Sequence, residues 1–104
     1  MTINNFVKTY VDVAEAHASL PPEHELYTLH SVMAETYLRA VKNLKMFGAQ
    51  ETLTKLLGER ELIQSSQQED GLMICLAKLT ALRFMIQSLE DMDIEAKPAN
   101  AILH

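Results

Sequence analysis

The side chains able to do chemistry in this chain are few: four histidines, one cysteine and a scatter of carboxylates. His17, His24, His30 and His104 include no pair at i, i+4, so the two-histidine zinc helix of metalloproteases is absent. A lone helical histidine is usually a packing or surface residue. His30 falls among apolar positions and reads as packing, with the capacity to titrate and loosen a subunit contact at low pH. Cys75 cannot form an internal disulfide or a multi-cysteine metal site. Leu72, Leu76 and Leu79 around it predict a buried thiol, not a nucleophile. A glycine-rich phosphate loop and a G-x-S-x-G elbow are both missing, and the carboxylates form no acid–base pair. The expectation is therefore no catalytic residue, no cofactor, no metal and no enzyme.

The charge balance also excludes partners. Nine Lys and Arg against fourteen Asp and Glu give a net charge of -5, the wrong sign for phosphate binding. A helix-turn-helix over Glu51 to Ser65 would present Glu59, Arg60 and Glu61 to the major groove, again the wrong sign. A histidine phosphotransfer motif near Lys42 fails because Arg39 stands where the phosphorylated histidine should be. No run approaches 18 uninterrupted apolar residues, and the N-terminus has no basic-then-apolar leader. A cytoplasmic protein is expected, with no direct nucleic acid and no membrane.

The elements are helical. Three Gly and three Pro in 104 residues leave little room for loops, and 48% hydrophobic residues suffice for one core. Thr2 caps a first helix whose apolar positions step from Ile3 through Phe6, Tyr10 and Val13 to His17; Pro21 and Pro22 end it. A second helix is predicted from Pro22 to Phe47, with the heptad seam Leu26, His30, Met33, Tyr37, Ala40, Leu44, Phe47 and Gly48 as its stop. A short helix follows from Ala49 to Leu57, ended by Gly58, with one further turn over Glu59 to Gln64. Ser65 or Ser66 would cap the last helix, Gln67 to Met92.

That last helix carries the seam Leu72, Cys75, Leu79, Leu82, Ile86, Leu89 and a second stripe, Ile74, Ala77, Ala81, Phe84, Met85. A helix apolar on two sides must be covered on two sides. The prediction is an all-α helical bundle: two long antiparallel helices plus short ones in a single domain over 1–92. A homodimer buries the surplus face, and an extended or mobile tail covers 93–104. Met33, Tyr37, Leu44, Leu72, Leu79, Leu82, Ile86 and Leu89 are the dimer or core seam. Ile74, Ala81, Phe84 and Met85 are the partner-binding candidates, with Phe84 and Met85 foremost because they lie off the seam.

Two stretches resemble the TraM family of quorum-sensing antiactivators. One is Leu20-Pro21-Pro22 opening the long helix LPPEHELYTLHSVMAETYLRAVKNLKMF; the other is the Ala77–Leu89 run AKLTALRFMIQSL, similar to that family's last helix. The QslA-like antiactivators, of similar role, are an equally acceptable relative. The chain departs from the TraM pattern in the Gly48–Asp70 insert and in the acidic turn Glu90-Asp91-Met92-Asp93. The resemblance implies a small helical homodimer that binds a LuxR-type transcription regulator and blocks its DNA binding or dimerisation. The alternative on the same size, acidity and Met content is a small dimeric secretion chaperone or assembly adaptor.

Overall fold

The computed structural model describes the backbone of residues 2–103 and the side chains of residues 2–65 and 71–92. Three helices account for nearly all of it, α1 (Ile3–Ala18), α2 (Tyr27–Asp70) and α3 (Leu72–Leu103), and no strand occurs among the described residues. The all-α class follows from the composition as expected.

α1 begins where Thr2 can cap it: the threonine hydroxyl accepts the Asn5 amide at 3.1 Å. Phe6, Tyr10 and Ala14, spaced by one turn each, are its buried face. The Pro21-Pro22 pair stops it, but α2 starts at Tyr27, five residues after the expected Pro22. The reason is local. The His24 imidazole takes the Leu26 amide at 3.0 Å, and the His24 and Tyr27 amides close turns onto Pro21 and His24 carbonyls. Such side-chain bonds satisfy the backbone without a helix.

α2 is helical over 44 residues but is not one rod. A straight helix of that length would reach about 66 Å, whereas the longest dimension of the whole molecule is 55 Å. Gly48 sits at φ +84°, a left-handed conformation that suits glycine. Beyond it the chain returns: Glu59 pairs with Arg39, 20 residues earlier, and Lys55 lies 4.8 Å over the Phe47 ring. On a straight helix the first of those pairs would be about 30 Å apart. α2 is therefore a helical hairpin folded at Gly48, the predicted stop.

The predicted short helix is wrong in length. Gly58 does not end it, and helix continues to Asp70. A glycine inside a helix costs only about 1 kcal/mol, less than Leu56 and Ile63 gain by burial on the inner side of this return limb. Ser65 is no N-cap, since its hydroxyl donates to the Leu62 carbonyl within the same helix; Ser66 lies outside the described side chains. The turn into α3 is one residue, Gly71, at φ +86° and ψ 147°.

This path corrects the predicted antiparallel pairing of the two long helices. The return limb of α2 stands between them in sequence. Leu26, His30 and Met33 consequently lie beside Met73, Ala77 and Thr80, and Met33 and Tyr37 lie beside Phe84. The first limb of α2 and α3 run in the same direction, each antiparallel in sequence to the return limb. α1 is antiparallel to the first limb, pairing Tyr10 with Tyr37 and His17 with His30.

One core fills the space between these rods: Phe6, Tyr10, Tyr37, Val41, Leu44, Leu56, Leu82, Met85, Ile86 and Leu89 are all buried in it. Thr52 is buried there too, and its hydroxyl has no partner among the described residues. The tail expectation concerns 93–104. The α3 backbone stays helical to Leu103, and the side chains of that stretch lie outside the described residues.

Candidate partner groove and histidine pair

The predicted partner residues do not stay together. Ala81 and Met85 are fully buried in the core, so neither can meet a partner in this fold. Ile74 is partly buried. Phe84 alone of the four is properly exposed, at 48%. Adjacent residues on a helix differ by about 100° in direction, so Phe84 and Met85 could not both face the same neighbour. The seam residues divide as well. Tyr37, Leu44, Leu82, Ile86 and Leu89 are buried inside this subunit, Met33 and Leu79 pack against that core, and Leu72 is 62% exposed.

The apolar surface that remains is elsewhere on α3. Met73, Leu76 and Phe84, with Thr80 between, step by three and four residues along one face. Leu26, Leu29 and Met33 line the facing edge of α2. Between the two rods runs a groove made of two hollows. The first, of about 200 Å³, is lined by Leu26, Leu29, His30, Met33, Met73, Leu76, Ala77 and Thr80. The second, of about 430 Å³, adds α1 as a wall and is lined by Thr9, Tyr10, Val13, His17, Met33, Tyr37 and Phe84. Met33 belongs to both. From Met73 to Phe84 the groove is about 16 Å long at helical rise. The Arg83 guanidinium lies 5.6 Å over the Phe84 ring at that end.

Sequence reasoning passed over Met73 and Leu76 because the stronger heptad seam on the same helix drew the reading. Their own step of three was the available signal.

α1 is held to the other helices by partly buried polar contacts at its inner face. The Tyr10 hydroxyl is 2.6 Å from Ser88 Oγ and donates to the Phe84 carbonyl at 3.0 Å. Its ring stacks on Tyr37, with centroids 5.3 Å apart. Burial, and then Tyr10, keeps the Tyr37 phenol above its ordinary value, so it remains a neutral wall.

At the other end of α1, His17 and His30 meet. Their Nδ1 atoms are 2.7 Å apart, one ring donating and the other accepting, and His17 stacks on Tyr37 at 5.8 Å between centroids. Neither histidine has a histidine near it in sequence; the antiparallel register of α1 and α2 creates the pair. The His17 imidazole is pushed below the ordinary 6.5, first by burial and second by the His30 charge. The unfolded chain therefore protonates at higher pH than the folded one. The stabilisation from the uncharged ring is complete above pH 6.5 and is lost as pH falls from there through the folded value. Urea melts at about pH 7.5 and about pH 5 should show a fall in midpoint that shrinks in His17→Gln; an equal fall in both proteins would remove His17 as its source.

Among the described residues no group of three or more His, Cys, Asp or Glu could hold a metal. Cys75 is buried as predicted. Leu72–Met92, with mean hydropathy 1.5, is long and apolar enough to cross a membrane by length and composition alone. The strict count of uninterrupted apolar residues had passed over this stretch. Lys78 and Arg83 lie within it, and Leu82, Met85, Ile86 and Leu89 pack into the core, which is how the central helix of a bundle also reads.

Comparison with protein-family models, with curated proteins and with solved structures finds no match to this chain. The TraM-like resemblance consequently stands on its own residues.

Proposed function

We propose that this chain is a non-enzymatic binding protein that seats an apolar helix of a partner protein in the groove between the start of α2 and α3. The observation that carries the proposal is the line of exposed apolar side chains along that groove: Leu26, Met73, Leu76 and Phe84 are 42–59% exposed while the walls beneath them are packed. An amphipathic helix is the natural occupant of an apolar trough between two parallel rods, reading it through residues at i, i+3, i+4 and i+7.

The partner class we propose is a LuxR-type transcription regulator, which the chain would keep from DNA or from its own dimer. That part rests on the Leu20-Pro21-Pro22 and Ala77–Leu89 resemblance and on the net charge of -5, which complements a basic DNA-binding domain. Homodimerisation belongs to the same proposal and would use exposed Leu72 and its neighbours, since most of the expected seam is occupied inside the subunit.

The test is calorimetry and a DNA band-shift with a purified LuxR-type regulator from the same organism. Binding that releases DNA, and that weakens about thirtyfold or more in Leu76→Glu with helix content unchanged, supports the reading. Absence of binding, or equal binding by the variant, removes it. Capture of an extended segment of an exported client by the same groove would replace the regulator with the chaperone function.

A further inference from the structure

We propose that the His17–His30 contact is a proton-operated latch on the groove: with at least one ring uncharged it clasps the end of α1 to the start of α2, and with both rings charged it opens and withdraws the His17 end of the α1 wall.

The geometry permits only one hydrogen between the rings. At 2.7 Å between Nδ1 atoms, one nitrogen must offer its lone pair. A neutral pair satisfies this, and so does a pair with one added proton, which enters at a free Nε2. A second added proton leaves two N–H groups and two positive charges facing each other, and the contact cannot persist.

The lining of the two hollows offers nothing that relieves that repulsion. In the hollow that His17 lines, α1 adds Thr9, Tyr10 and Val13, α2 adds Met33 and Tyr37, and α3 adds Phe84; in the hollow that His30 lines, the polar neighbour is Thr80. These are hydroxyls, rings and apolar side chains. Among the described residues lining either hollow there is no carboxylate, lysine or arginine. One imidazolium can rest on the Tyr37 face by cation–π attraction, but that ring offers no counter-charge for a second.

The location gives the latch its leverage. His17 lines the larger hollow and His30 the smaller, so the contact lies where the two join. α1 is fastened by buried Phe6, by Tyr10 to Ser88 and Phe84, and by buried Ala14 one turn before His17. Beyond Ala18 the chain runs free of helix to Tyr27. Release of His17 therefore frees the last turn of α1, from Glu15 to Ser19, while the rest of α1 stays docked. That the swing controls partner binding rests on the groove reading above; the latch itself does not.

The experiment uses the free protein, so its result is independent of any partner. Histidine ring carbons and backbone amides are followed by NMR from about pH 7.5 to about 5. The expected result has two parts. The His17 titration midpoint, below the ordinary value in wild type, moves up in His30→Gln. Amide protection factors over residues 15–19 drop about tenfold or more on acidification, while those around Phe6 and Leu82 hold. A His17 midpoint unmoved by His30→Gln, or protection over 15–19 that is flat with pH, overturns the latch. If His30→Gln fails to fold, the wild-type protection profile decides the question alone.

Discussion

Met85→Glu will unfold the chain, and Phe84→Glu, one residue away, will leave it folded. Met85 is fully buried among core side chains. A carboxylate there loses its water without gaining a partner, a penalty of several kcal/mol even after the surroundings relax. A domain of this size has about 5–15 kcal/mol of stability in total, so the penalty is comparable with the whole. Met85→Leu, which keeps the volume, should cost less than about 1.5 kcal/mol. Phe84 is 48% exposed, and its loss forfeits only part of a ring's burial and the contact with Arg83. Its expected cost is within about 1 kcal/mol. Circular dichroism melts of the three variants decide the matter. A folded Met85→Glu protein, or an unfolded Phe84→Glu one, would mean that the two residues are assigned to the wrong sides of α3.

The second large effect is at Gly71. Its φ of +86° with ψ of 147° lies in a region essentially closed to residues with a Cβ. An added methyl would touch nothing within 4 Å, so the penalty of Gly71→Ala is a backbone one. About 1–3 kcal/mol is expected, or a melting midpoint lower by on the order of 10 °C. Gly58→Ala is the control. It lies inside α2 without a positive φ and with open space around it, so alanine should add roughly 0.5–1 kcal/mol. Opposite signs at two glycines with equally open surroundings would isolate conformation as the cause; equal signs would contradict the single-residue turn.

The contrast between these glycines shows where sequence reading succeeds and where it stops. Gly48 was legible as a stop because a seam of three heptads ended at it. Gly58 looked the same, yet Leu56 and Ile63 on the buried side of the return limb carry the helix through it. That tertiary gain has no local signature, and buried Thr52 disguised the stripe as polar. The Thr2 cap and the proline break before α2 were readable because both are local chemistry. The choice between Phe84 and Met85 was not, because periodicity marks which residues share a face and not which face is covered.

The histidine pair is an intermediate case. Tyr10 with Tyr37 and His17 with His30 are each symmetric about the point between Glu23 and His24. A hairpin centred on the proline turn would have produced both pairs from the sequence. The sequence reading placed the turn but did not fold the chain across it.

The tether of Tyr10 to Ser88 has a consequence for the order in which the protein is made. The two residues are 78 positions apart, so α1 leaves the ribosome well before its hydroxyl's partner exists. At a synthesis rate of about 5–20 residues per second the delay is roughly 4–16 s. During that interval Phe6 and Tyr10 can meet the first limb of α2, but the rest of their enclosure is unmade. The α2 hairpin, whose contacts are closer in sequence, closes without waiting. The nascent chain thus completes its middle before its beginning, and the first helix synthesised is the last to be fully enclosed.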